Sequence, residues 1–140
     1  ASISQNVGLH PLVLVLMPVT GLSTLSILLI GELIDLDADR KGGKHGVAHR
    51  LGTGPTAWIY FLSQFAIISN IVVAFFVFPG KSWALLLCLI PYIFIFPKAL
   101  MIVLKHHSDP DILKQAAGLN VKIHLLFSVL LVLGLGIYLI

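Results

Sequence analysis

Charge is scarce in this sequence: 11% of residues are Asp, Glu, Lys or Arg, against 58% hydrophobic. A soluble globular domain carries roughly 25% charged residues, so a soluble domain is excluded. With a mean hydropathy of +1.02, the chain reads as an all-α integral membrane protein. Cysteine is all but missing. Cys88 is the only one and lies inside an apolar run, which excludes an internal disulfide or a multi-cysteine metal site and leaves a small buried filler. Residues 1–30 contain no acid, and residues 1–10 no lysine or arginine, so no cleavable signal pattern is expected at the start. The 140 residues suit one transmembrane bundle, because a span uses about 20 apolar residues.

Four apolar runs are long enough to cross a bilayer, at about 11–33, 56–78, 83–104 and 121–140. A backbone in lipid must satisfy its own hydrogen bonds, so each is expected to be a helix. Pro18, Pro91 and Pro97 fall inside runs and should bend them. The stretch "FPGKS" at 78–82 reads as a tight turn between the second and third helices. Polar connections at 34–55 and 105–120 are separated by two spans and so share one face. Arg40, Lys41, Lys44, Arg50, Lys105 and Lys114 lie there, with Lys122 at the edge, whereas the opposite face shows Lys81. The positive-inside rule makes that basic face cytoplasmic and puts both termini on the other side. The net charge of +3 then follows from topology and implies no nucleic-acid partner.

Acids are concentrated in one place. The stretch "GELIDLDADRKGGKHGVAHRLG" at 31–52 holds four of the six, Glu32, Asp35, Asp37 and Asp39, followed by Arg40, Lys41 and Lys44. On a continuous helix, at roughly 100° per residue from Glu32, Asp35 falls near ~300° and Asp39 near ~340°, while Asp37 points elsewhere. Like charges on one face near a helix C-terminus repel each other and oppose the helix dipole unless a cation sits among them. Carboxylates at i and i+4 can reach one Mg²⁺, which takes one or two carboxylates together with phosphate oxygens and water. The alternative is a solvated cluster neutralised by Arg40, Lys41 and Lys44.

The order "DLDADRKGGK" followed by "AHRLG" resembles the second aspartate-rich motif of the UbiA superfamily of intramembrane prenyltransferases. Asp35 and Asp39 match the two motif aspartates, and Arg40, Gly43, Lys44, Arg50, Leu51 and Gly52 match the tail. The helix, tight turn, proline-containing helix, short polar loop and final helix that follow fit the same pattern, with Asn120 at a matching position. The preceding "LMPVTGLSTLSILLIGELIDLDAD" looks most like the branch that acts on dihydroxynaphthoate in isoprenoid quinone biosynthesis. The resemblance covers essentially all 140 residues and corresponds to the carboxyl-terminal half of a nine-helix bundle. It implies Mg²⁺ on Asp35 and Asp39, diphosphate held by Arg40, Lys44 and Arg50, and a prenyl group passing from a prenyl diphosphate to an aromatic acceptor. It also implies dependence on a missing amino-terminal half or another chain, because the first aspartate motif is not in this sequence. The family's threonine after the G-K-basic triplet is replaced by Gly46, which is expected to loosen that loop.

A second polar constellation, "KHHSDPDILKQAAGLNVK" at 105–122, lies on the same face. Consecutive His106 and His107 point apart and are poor joint ligands. Asp109 and Pro110 are a natural start for a short helix. The stretch is either an interfacial cap or, through Lys105 or His106, part of the mouth over the acidic motif. His10, Gln64, Asn70 and His124 are isolated polar groups in apolar surroundings, suited to hydrogen bonds across helices. His124 is the better-placed histidine for a chlorin or haem. Gly21, Gly118, Gly134 and Gly136 are expected at close helix approaches, and Trp58 and Trp83 at opposite interfaces. Two readings follow. One is half of a prenyltransferase. The other is a non-catalytic accessory subunit, derived from the same fold, in a larger membrane pigment or redox complex, photosynthetic ones included.

Overall fold

The computed structural model describes residues 11–78 and 80–139; His10 therefore lies outside the described residues. Every regular element among them is helical: α1 Pro11–Ile34, α2 Leu36–Lys41, α3 Val47–Leu51, α4 Thr53–Val77, a 3₁₀ helix Lys81–Leu89, α5 Ile90–Phe94, α6 Phe96–Lys105 and α7 Pro110–Leu139. Three of these, α1, α4 and α7, are long and apolar enough to cross a membrane, and the bent pair Lys81–Phe94 with Phe96–Lys105 supplies a fourth crossing if it acts as one span. Large apolar side chains cover the outside, with Met17 70%, Phe76 77% and Phe94 78% exposed. Helices apolar on all sides belong in lipid rather than water.

The spans form a closed ring of contacts. α1 packs on α4 and α7, and the third span packs on both α4 and α7. This is an up-and-down bundle. Its seams carry small and aliphatic side chains such as Val19, Ile30, Ile67, Ile71, Ala74, Ala99 and Ile123, all buried. Several polar side chains inside the ring are paired, while Asn70 Oδ1 and Tyr92 Oη are buried with no partner among the described residues. Ser26 Oγ lies 3.0 Å from Ser63 Oγ, and Asn120 Oδ1 accepts from both Tyr60 Oη (3.3 Å) and Gln64 Nε2 (3.2 Å). Ser23 Oγ is 2.7 Å from His124 Nδ1. Side-chain hydrogen bonds thus bridge the α1–α4 and α1–α7 seams, and Ser82 Oγ donates to Phe75 O across the seam between α4 and the third span at 3.2 Å. Asn120 links α4 to α7 across the ring, so that Gln64 and His124 serve as interhelical links.

The third span departs from a single helix over 83–104. It begins as nine residues of 3₁₀ helix and bends by 46° at Ile95. Pro91 and Pro97 both sit in the first turn of the segments they open. A proline lacks the N–H that would continue the preceding helix, and its ring strikes the carbonyl four residues back, so each proline starts a new segment. In the 3₁₀ stretch Ser82, Leu85 and Cys88 are buried, the three-residue interval that one face of such a helix requires. Gly134 of α7 lies against it so closely that a Cβ there would stand 2.7 Å from the Ala84 carbonyl oxygen. At Gly21, Gly118 and Gly136 a Cβ would meet nothing within 4 Å. Of the four glycines expected at close approaches, Gly134 alone makes one among the described residues.

Two other expectations change. α1 continues unbroken through Pro18. The fourth span starts about three turns earlier than 121 and is one helix from Pro110, so the polar connection shrinks to residues 106–109. The reason is a good cap: Asp109 Oδ1 accepts from the N–H groups of Asp111 and Ile112, each at 3.1 Å. The helix that Asp109 and Pro110 open is therefore long rather than short.

Candidate metal and diphosphate site

One end of the bundle gathers both polar connections. Thr53, at the start of α4, touches the turn between α6 and α7: its Oγ1 is 3.0 Å from His107 Nδ1 and 3.0 Å from Ser108 Oγ. His107 is thereby committed to this turn, while His106 points elsewhere. α3 rests on α1, α2 and α4 at the same end.

The four clustered acids have four different environments. α1 bends at Asp35, where φ is −93° and ψ 8°, yet the helical register persists. Asp35 N–H donates to Gly31 O at 2.9 Å, and Asp39 N–H to Asp35 O at 2.8 Å. Asp35 and Asp39 thus keep their one-turn spacing. Glu32 leaves the shared face expected of it, because its Oε2 accepts the Ala48 N–H at 3.0 Å and so satisfies an otherwise open donor at the start of α3. Asp39 is partly covered and pairs with the more exposed Lys44 at 3.1 Å. Asp35 is exposed, and its charge is felt by Lys114 of α7. Asp37 is exposed on the far side of the short helix.

Local backbone demands explain the glycines of the motif tail. Gly43 (φ 73°) and Gly52 (φ 90°) adopt conformations that side-chain-bearing residues rarely take. Gly43 reverses the chain after α2 and lets Lys44 N–H reach Asp39 O at 2.9 Å, which places the Lys44 side chain beside the Asp39 carboxylate. Gly52 separates α3 from α4, so that Arg50 remains exposed at this end. Gly46 leaves room for the Glu32 side chain. A Cβ at that position would stand 2.5 Å from the Glu32 carboxyl carbon; a hydrogen there lets the carboxylate reach the α3 N-terminus.

Among the described residues no group of three or more His, Cys, Asp or Glu side chains comes together. Asp35 and Asp39 stand one helical turn apart in the backbone, and the Asp39 carboxylate is paired with Lys44. Arg40, Lys44 and Arg50 are exposed at the same end of the bundle. Lys105 and His106 are not part of this group. They line a separate cleft with Lys98, Met101, Ile102 and Gln115. None of the clustered acids lines that cleft. Lys98 had no evident role in the sequence, where it is one cation inside an apolar run. His49 Nδ1 is buried with no partner among the described residues, and its ring meets that of His45 edge-on at 4.6 Å.

No protein-family model, curated protein or solved structure matches the chain.

Proposed function

We propose that this chain is the carboxyl-terminal part of a UbiA-type prenyltransferase, acting on a prenyl diphosphate and an aromatic acceptor once a further set of transmembrane helices supplies the other acidic motif. The observation that carries the reading is the preserved one-turn spacing of Asp35 and Asp39 just past the end of α1, with Lys44 paired to Asp39 and with Arg40 and Arg50 exposed at the same end. Asp35 and Asp39 would hold Mg²⁺, which neutralises diphosphate charge when bound. The basic side chains would orient the diphosphate oxygens and stabilise the charge they gain as the prenyl carbon–oxygen bond breaks and its electron pair leaves with the diphosphate. A carbon of the acceptor ring then bonds to the allylic carbon and gives up its proton. In this reading Lys44 exchanges Asp39 for a diphosphate oxygen, an inexpensive change because exposed ion pairs contribute under about 1 kcal/mol. The basic face is then cytoplasmic, in keeping with its charge.

The Asp39–Lys44 pair also favours a second reading, in which the chain is a non-catalytic accessory subunit and the motif is neutralised internally. Prenyl transfer in membranes holding the chain with its complementing helices separates the two. Asp35→Asn and Asp39→Asn should each lower Mg²⁺-dependent transfer by about a hundredfold or more, whereas Asp37→Asn, equal in charge change, should stay within about threefold. Equal tolerance at all three positions would reject the catalytic reading.

A further inference from the structure

The cleft between α6 and α7 is about 370 Å³ and is lined by Lys98, Met101, Ile102, Lys105, His106 and Gln115. Four of these form one stripe on α6, at positions i, i+3, i+4 and i+7. Two cations therefore bracket two apolar side chains along roughly 10 Å of helix. The cleft contains no carboxylate, and the acids nearest in the chain are engaged. Asp109 caps α7, and Asp111 pairs with Lys114 at 2.7 Å. Among the described residues neither Lys98 nor Lys105 has an ion-pair partner. Lys98 begins about two turns deeper than Lys105, and a lysine so placed runs its stem along apolar surface and lifts its ammonium toward the interface. A raised Lys98 ammonium and that of Lys105 then both face this cleft near the end of α6.

We propose that this cleft binds the phosphate headgroup of an anionic membrane lipid. The chemistry it shares with soluble phosphates is two lysine ammonium groups and a histidine ring around an anion. Its apolar floor favours the lipid. Met101 is 54% exposed, and Ile93 and Phe94, on the segment below, are 64% and 78% exposed, so acyl chains have an apolar surface to follow from the headgroup into the bilayer. Basic clefts between helices at a charged membrane face select anionic headgroups over zwitterionic ones in this way. The inference needs only the membrane placement of α6 and stands apart from the transferase reading.

The test uses the assembly that contains this chain, reconstituted in bilayer nanodiscs with phosphatidylglycerol or phosphatidylcholine carrying the same photoreactive acyl chain, with adducts mapped by mass spectrometry. Phosphatidylglycerol should label residues 93–106 roughly tenfold more than phosphatidylcholine. Lys98→Gln with Lys105→Gln should remove that preference, Lys98→Arg with Lys105→Arg should retain it, and Lys81→Gln should leave it unchanged. Equal labelling of the unmodified chain by the two lipids would overturn the proposal without recourse to any variant. So would a preference that survives the double glutamine change. Millimolar inorganic phosphate or diphosphate should not displace the lipid; displacement by either would identify a soluble-phosphate site and reject the lipid assignment.

Discussion

The interior of the bundle and its charged end treat polar groups in opposite ways. Inside, Asn120 takes two hydrogen bonds, Ser26 and Ser63 face each other, and Gly134 is pressed onto the 3₁₀ helix. At the charged end, Asp35, Asp37, Arg40 and Arg50 stand exposed, and of the four clustered acids Glu32 alone holds a backbone donor. Pairing in the interior is not complete, since Asn70 Oδ1 and Tyr92 Oη have no partner among the described residues, and an unpaired polar group is costly in hydrocarbon. At the interface water removes that cost. The contrast ties stability mainly to the first region, and substitutions in each should show it.

Gly134→Ala should have the largest effect on stability. The added methyl meets backbone of the 3₁₀ helix, which cannot rotate away as a side chain would, and overpacking of this kind costs about 1–3 kcal/mol. Gly136→Ala, with open space around it, should be close to neutral. Unfolding of both variants by titration with dodecyl sulfate in mixed micelles measures the difference. Equal stabilities would mean that α7 and the 3₁₀ helix are less tightly packed than this geometry requires.

Asn120→Leu comes next. It leaves the Tyr60 hydroxyl and the Gln64 amide without their shared acceptor in a buried seam. Hydrogen bonds between membrane helices average well under their value in an apolar solvent, so the expected loss is about 1 kcal/mol or somewhat more. Asn120→Asp retains an acceptor oxygen and should reveal whether the site tolerates charge. A Leu variant as stable as the parent would show that the paired interior is not what holds the ring together.

These two residues also show how much was legible in the sequence. The apolar runs coincide with the three helices long enough to cross and with the bent pair that would make a fourth, because length and hydropathy alone set a span. The 3₁₀ start of the third crossing was not legible: in "WALLLCLI" nearly every residue is apolar, so periods of 3.0 and 3.6 leave the same trace. The early start of α7 was hidden by the polar character of "DILKQ", although its cap at Asp109 was readable from residue type and position. At the charged end, the Asp35–Asp39 spacing could be read directly. The Glu32 role could not, since its partner is a backbone N–H sixteen residues away that any residue type would supply. Lys98 was missed because a cation within an apolar run acquires meaning only once Lys105 and Gln115 are placed beside it.

Glu32→Ala should cross the boundary between the two regions with a smaller effect. Loss of the carboxylate leaves the Ala48 N–H uncapped, as in removal of a helix N-cap, at a cost of about 1 kcal/mol. Since Glu32 is engaged with α3, its loss should lower the unfolding midpoint while leaving Mg²⁺ affinity at Asp35 and Asp39 within about twofold, the magnesium assay resting on the transferase reading. Gly46→Ala should produce a similar loss, because the new methyl displaces the same carboxylate. The double variant should be little worse than either alone, since both substitutions remove one contact. Additive losses would show that Gly46 and Glu32 act separately.

The smallest effect is expected at Lys114. Its ammonium is 2.7 Å from Asp111 Oδ1, the shortest ion pair among the described residues, yet both side chains are largely exposed, at 63% and 88%. Water solvates each partner nearly as well when they are apart, and the long lysine side chain loses rotamer freedom when held in one geometry. Asp109, not Lys114, supplies the hydrogen bonds that start α7. Lys114→Gln should therefore leave the unfolding midpoint unchanged within error, as should Asp111→Asn. Lys114 also feels the Asp35 charge weakly, after that of Asp111. Removing it should leave Asp35 with more uncompensated negative charge and raise divalent-ion affinity there, slightly at low salt and not at all at high salt, because screening suppresses exposed interactions first. A clear fall in stability would show that the charged end is tied into the fold after all. An effect on ion affinity that survives high salt would place Lys114 within the site rather than at its margin.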